Sequence, residues 1–425
     1  MTSREKIRRA LAHQPGPVPV DFGSTAVTGL HVSCVAGLRE HYGLAEHPVK
    51  VREPFQMLGE IEEDLADALG CDCVGIGGRR TMFGFPNEGW REWRAPWGQV
   101  VLVPEGFRPR EEASGDVFLF PQGDTSAPAS GHLPAGGYFF DAIVRQPPIV
   151  EEELDPADNC EEFQPFSPAD LAHWRQELAR VRGGTRAVAA SVGGSSFGDI
   201  ALVPAAFLRS PKGIRDVGEW YVSLVERRDY VHQVFTRQCE VALQNLEAFA
   251  GLARDAIDVL VVCGTDFGTQ NSQFCSPATF DDLFAPYYRQ VNDWVHRHTP
   301  WKTFKHSCGA VRPLIDRFID VGFDILNPVQ CSARDMDPVR LKSDFGDRIV
   351  FWGGGVDTQR TLPFGTPGEV SAEVTERLRA FSPGGGFVFN TIHNIQALTP
   401  VANIVAMVDA IREFNRAGAP RPVPA

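Results

Sequence analysis

The stretch Ile257-Asp-Val-Leu-Val-Val-Cys-Gly-Thr-Asp-Phe-Gly-Thr-Gln270, with Ser276-Pro277 shortly after it, decides the fold. Residues 257–262 form a short β-branched run, the pattern of a strand buried on both faces. Glycines and polar residues then interrupt it. Ser276 supplies a helix N-cap and Pro277 suits the first helical position, after which Phe280, Leu283, Phe284, Tyr287, Val291 and Trp294 recur at helical spacing. Strand, polar turn and helix make one βα unit.

The unit repeats outward in both directions. Comparable runs occupy 187–192, 301–305, 323–326, 348–352 and 386–389, and two earlier ones lie at 18–22 and 71–76. Thr366-Pro-Gly-Glu369 reads as a capping box ahead of Val370, Val374 and Leu378, and Thr399-Pro400 opens a last helix. Eight parallel strands joined by helical crossovers predict an α/β fold of the closed (β/α)₈ barrel type. Residues 78–165 break the rhythm with Trp90, Trp93, Trp97, repeated glycine and proline, and alternating pieces such as 99–103. They read as an inserted loop and hairpin region covering one barrel mouth, and Ser167-Pro-Ala-Asp170 starts the helix that returns to the barrel. The whole chain, 1–425, then forms one enlarged barrel with a floppy end from Gly418 to Ala425.

Composition narrows the class. Of 425 residues 43% are hydrophobic and 22% charged, which excludes disordered and fibrous chains, and a net charge of −13 provides no field to collect nucleic acid or anionic lipid. No run is long and apolar enough to span a bilayer, and the start, Met1-Thr-Ser-Arg-Glu-Lys6, is charged where a signal peptide is greasy, so a cytoplasmic location is expected. Nine cysteines in a chain of this length are too sparse and irregular for a disulfide scaffold. Gly193-Gly194 and Gly353-Gly-Gly355 lack the residues and spacing of a phosphate loop.

In such a barrel the reactive groups follow the strands. His306-Ser-Cys308 is the sharpest element: on an extended chain positions i and i+2 face the same way, so imidazole and thiolate can converge on one ion, and both suit zinc. A third ligand is open between Cys331, after the next strand, and His393, after the last. Asp266 and Asp357 each end a strand beside glycines and are candidates for acid, base or electrostatic work, with loop capping as the alternative for both, less so for Asp266 with Thr265, Thr269 and Gln270 around it. The amides Gln270, Asn327, Gln330, Asn394 and Gln396 stand at strand ends where they would bind a polar substrate or satisfy loop backbone.

Several segments together resemble the uroporphyrinogen decarboxylase superfamily: residues 3–13 with Val18-Pro-Val-Asp21, then Thr265-Asp-Phe-Gly-Thr-Gln270, Phe304-Lys-His-Ser-Cys-Gly309, residues 324–330, Trp352-Gly-Gly-Gly-Val-Asp357, residues 365–370 and Ile392-His-Asn-Ile-Gln396. The resemblance implies a (β/α)₈ barrel. It also implies one of two chemistries, since the superfamily holds decarboxylases and zinc-dependent methyltransferases that serve corrinoid carriers. His306 and Cys308 match the His-x-Cys zinc pair of the methyltransferases, whose third ligand is a Cys where this chain has His393. The decarboxylases' Met-Arg-Gln-Ala-Gly-Arg segment, which binds substrate carboxylates, is missing, and so is any Asp-x-His-x-x-Gly cobalamin motif, so a corrinoid would sit on a partner protein. The expectation is zinc-dependent methyl transfer between a small-molecule or thiol substrate and that corrinoid. The alternative is a metal-free decarboxylase in which Asp266 stabilises a protonated ring intermediate and His393 assists proton delivery. A third reading is a non-catalytic scaffold.

Overall fold

The computed structural model describes residues 1–418, so all but Gly418 of the expected floppy end lies outside the described residues. Seven parallel strands stand side by side in chain order: β1 (Cys73–Gly77), β2 (Ala187–Ser191), β3 (Val259–Cys263), β4 (Lys302–His306), β5 (Ile325–Asn327), β6 (Val350–Trp352) and β7 (Phe387–Val388). Residues 18–22 close the ring. Val20 pairs in parallel with Phe389, just past β7, and on its other side the Asp72 N–H, just before β1, donates to Val20 O at 2.7 Å. Pro17 and Pro19 have no N–H to give to a longer ladder, so this eighth position is held by few bonds. The result is the closed (β/α)₈ barrel that the strand count predicts.

Alternation along the strands sorts the core into two layers. Cys73, Ala187, Ala189, Val259, Phe304, Ile325, Val350, Trp352 and Val388 form the inner cluster, joined by Ile7, Ala10 and Leu11 of the helix Ser3–Leu11. The intervening residues, such as Val188, Leu260, Leu326 and Phe351, pack outward against the helices. Gly75 is required where it stands, because a Cβ there would lie 1.7 Å from Ser24 O.

The capping boxes at Ser167 and Thr366 form, and Ser276 caps its helix. The continuous stripe after Ser276 is divided, however, into helices Pro277–Leu283 and Ala285–His298. Pro286 has no N–H for the carbonyl four residues earlier, and its ring crowds that carbonyl. The inserted region holds two antiparallel systems. Arg91–Arg94 and Val100–Val103 form a hairpin that adds to Val49–Glu53, upstream of the insertion, and a four-stranded sheet runs from Arg110–Glu111 to Asp141–Ala142. Trp97 packs on His31 with ring centroids 5.2 Å apart, and the Arg145 guanidinium donates to Ala205 O at 2.7 Å. These contacts tie the insertion to the loops after residues 18–22 and after β2. No helix among the described residues is long and apolar enough to cross a membrane.

Candidate active site

His306 is the last residue of β4, and the loop that follows carries Ser307, Cys308 and Gly309. The adjoining β3 loop lies directly against it. Gly309, at φ +88°, would bring a Cβ within 2.3 Å of the Gly268 backbone, so only glycine lets the two loops meet this closely. Three bonds fasten them. The Cys308 N–H donates to Asp266 Oδ1 at 2.6 Å, the Phe267 N–H to Ser307 Oγ at 2.8 Å, and the Ala310 N–H to Thr269 O at 2.8 Å. Below them the buried Lys305 Nζ donates to Thr265 O at 2.6 Å and to His306 O at 2.7 Å, and lies 3.1 Å from Cys263 Sγ.

This stitching brings donor atoms together. His306 Nε2 lies 3.5 Å from Cys308 Sγ and 3.7 Å from Asp266 Oδ1. His393, from the loop after β7, faces His306 with ring centroids 5.4 Å apart at 75°, and one donor atom from each of His306, Cys308 and His393 falls within 4.8 Å of the others. The amide of Asn327 fixes which nitrogen of His306 is free. Its Nδ2 donates to Trp352 O at 2.7 Å, so its Oδ1 accepts, and His306 Nδ1, 2.6 Å away, carries the proton. The Nε2 lone pair is thereby aimed at Cys308 and Asp266. Trp352 is anchored in turn by its Nε1 donating to Asp21 Oδ2 at 3.0 Å.

Burial dominates the electrostatics. It holds His306 below the ordinary imidazole range against the pull of Asp266 and Asn327, and brings His393 down to about 4, with His306 adding to the fall. Both rings are neutral at pH 7 and available as ligands. Burial and the Asp266 carboxylate push the Cys308 thiol well above its usual range.

The donor set fits zinc. A nitrogen and a sulfur bound tetrahedrally to one zinc lie about 3.6 Å apart, given bond lengths near 2.0–2.1 and 2.3 Å, and His306 Nε2 and Cys308 Sγ already have that spacing. Three such ligands would leave a fourth position for a substrate atom, as catalytic zinc requires. Cys331 does not join the group. Its Sγ lies 4.0 Å from Gly354 O, and its side chain packs against the outer core layer between strands and helices.

Other sequence candidates have different partners. Asp357 Oδ1 accepts the Gln359 and Arg360 N–H groups of its own loop at 2.7 and 3.2 Å, which is capping geometry rather than an exposed acid. Gln330 Oε1 accepts the Gly309 N–H at 2.8 Å, its Nε2 donates to Gln270 Oε1 at 3.0 Å, and the Gln270 Nε2 donates to Ser332 O at 2.5 Å, so this pair braces loops. Asn394 accepts the Gly29 N–H at 2.6 Å and donates to Ala26 O at 2.8 Å and Gln56 Oε1 at 2.9 Å, binding the last loop to the first. Gln396 contributes its main chain, whose carbonyl takes the Cys34 thiol at 3.2 Å. These amides satisfy buried loop groups first, because unpaired polar atoms there are costly. Lys305, Ser307 and the Asp21–Trp352 pair were not evident from sequence. Each acts across strands, and no local pattern marks that.

Comparison with known proteins agrees with this architecture. The family profile described as Uroporphyrinogen decarboxylase (URO-D) matches residues 140–414. A uroporphyrinogen decarboxylase of Prochlorococcus marinus (strain MIT 9313) is 25% identical over 310 residues, covering 72% of this chain and 79% of that protein. A shorter match, 40% identical over 60 residues and 13% of this chain, is to a uroporphyrinogen decarboxylase of Nitrosospira multiformis, 16% of which it covers. Among solved structures, a methyltransferase from Methanosarcina mazei superposes with a TM-score of 0.54 at 18% identity, covering 97% of this chain and 99% of that one. With its barrel, its strand-end residues and a family match over most of its length, the chain belongs to the uroporphyrinogen decarboxylase family.

Proposed function

We propose that this chain is a zinc-dependent methyltransferase, moving a methyl group between a small-molecule or thiol substrate and a corrinoid held by a separate protein. One observation carries the reading: two neutral imidazoles and a thiol converge, with His306 Nε2 and Cys308 Sγ at the separation of two zinc ligands. The whole-chain likeness in fold to a protein described as a methyltransferase is compatible with it.

His306, Cys308 and His393 would hold the ion. Zinc so bound supplies a Lewis acid that favours the deprotonated form of a thiol or hydroxyl acceptor, or polarises the oxygen of a methyl ether. The chain's own groups prepare that position. Asn327 keeps the His306 proton on Nδ1, Asp266 holds the Cys308 backbone in place, and the Cys308 thiol, raised by burial, would have to release its proton to serve as a ligand.

Metal analysis of protein purified without chelators tests the reading. The expected content is about one equivalent of zinc, and less than about one-tenth would reject it. That second outcome would favour a metal-free carboxy-lyase, in which Asp266 stabilises a cationic intermediate and His393 delivers a proton. The long match to a protein named uroporphyrinogen decarboxylase is what recommends this alternative.

A further inference from the structure

Beside the metal-binding group stands a wall that the reading above does not use. The loop after β2 is pinned to the loop after β3 by three bonds: Ser195 Oγ donates to Val262 O at 2.6 Å, the Gly264 N–H to Ser196 Oγ at 3.1 Å, and Thr265 Oγ1 to Phe197 O at 2.7 Å. The pinned loop ends at Asp199. Its Oδ1 accepts the Ala201 N–H at 3.0 Å, while Oδ2 has no hydrogen-bond partner among the described residues. Oδ2 sits so close to Gly264, two residues before Asp266, that a Cβ there would come within 2.8 Å.

Tyr221, on the helix Val217–Glu226, completes the wall. Its ring stacks on Phe274 of the β3 loop at 4.8 Å and 19°, and Phe274 is 37% exposed. The Tyr221 hydroxyl is buried and has no hydrogen-bond partner among the described residues. Buried tyrosine hydroxyls are nearly always paired, so this one is a donor lacking its acceptor. Geometry seats this helix against both loops: a Cβ on Gly198, next to Asp199, would come within 3.2 Å of Trp220 Nε1, and the N–H of Phe274, on which Tyr221 stacks, donates to Phe267 O at 2.8 Å, next to Asp266.

We propose that Tyr221 and Asp199 form a substrate-binding subsite beside His306, Cys308 and His393. It takes the hydroxyl, ether or carbonyl oxygen of a flat, largely apolar molecule lying along Phe274. Burial raises the Tyr221 hydroxyl above its usual range and keeps it a donor, and the nearby carboxyl groups disfavour an anionic ligand. The subsite deepens the methyltransferase reading and rests on it only for the reaction that follows binding.

Calorimetric titration of the purified full chain with phenol, and with toluene as its match without the hydroxyl, tests the subsite. Tyr221→Phe and Asp199→Ala should each weaken phenol about five- to tenfold, the worth of one buried hydrogen bond, and leave toluene within about twofold. Tyr221→Phe should not lower the melting temperature, because it removes an unpaired hydroxyl. Equal phenol affinity in wild type and Tyr221→Phe, no phenol binding by the wild type, or a lower melting temperature for Tyr221→Phe would each overturn the proposal. Zinc content of the same samples separates the two ideas. Zinc-free protein that keeps the Tyr221 effect rejects the methyltransferase and retains the subsite; zinc-loaded protein without the effect rejects the subsite alone.

Discussion

Asp266 and Asp357 hold equivalent places, each just past a barrel strand and close to glycines, yet they serve different neighbours. Asp357 accepts two N–H groups from its own loop, two and three residues on. Asp266 reaches across to the Cys308 N–H of the adjoining loop and lies 3.7 Å from His306 Nε2. A carboxylate spent on its own turn stabilises that turn. One spent on the next loop brings groups from two strands together, and a site can form there.

The largest test of that difference is loss of metal. His306→Ala and Cys308→Ser should reduce bound zinc from about one equivalent to below about one-tenth, by metal analysis. Asp266→Ala, which frees the Cys308 backbone, should weaken zinc about 10- to 100-fold in competition with a chelator. Cys331→Ser should change nothing, since its side chain packs against the outer layer. A zinc loss in Cys331→Ser equal to that in Cys308→Ser would show that Cys331 belongs to the metal-binding group after all.

The support behind His306 comes next. Asn327→Leu leaves His306 Nδ1 and Trp352 O without their partners in a site with no exposure at Asn327. Two buried groups left unmade should cost about 3 kcal/mol in denaturant unfolding, and zinc affinity should fall at least about tenfold. Unchanged affinity would mean that His306 is oriented by something other than the amide.

A third carboxylate sharpens the contrast through pH. Asp21 is fully buried, accepts Ser24 Oγ at 2.7 Å and Trp352 Nε1 at 3.0 Å, and is pushed by burial up to about 6. Its unfolded value is about 3.9. Between those values the folded chain keeps a proton that the unfolded chain has lost. This contribution is therefore fully present below about pH 4 and declines as pH rises toward 6, by roughly 2 to 3 kcal/mol. Asp21→Asn should remove that part of the slope. Parallel stability curves for the two proteins from pH 4 to 7 would sink the assignment.

How much of this was legible in sequence follows from the range of each interaction. Runs such as 187–192 and 257–262 announce buried strands because both faces are apolar, and His306-Ser-Cys308 announces a shared face by its spacing. The choice between Cys331 and His393 was not legible, because it depends on which loop turns inward after the ring has closed. Nor was the recruitment of Val49–Glu53 by the inserted hairpin, which is a pairing between distant segments. Tyr221 lies on an ordinary amphipathic helix, and only in three dimensions does its hydroxyl stand without a partner among the described residues.

The smallest expected effect bears most directly on the two aspartates. Asp357→Ala removes the acceptor for the Gln359 and Arg360 N–H groups at the start of the short helix Thr361–Phe364. Water can reach part of this exposed turn, so the cost should be only about 1 kcal/mol, similar to loss of a helix cap. Zinc content and activity should be retained. Had Asp357 been a reacting acid, the same substitution would abolish turnover and leave stability nearly unchanged, because a catalytic carboxylate seldom supports its own loop. Measured together, unfolding free energy and turnover place Asp357 on one side or the other. The opposite pattern in Asp266→Ala, where zinc affinity falls while global stability changes less, would show that equivalent strand-end carboxylates acquire different tasks from the loops they bind.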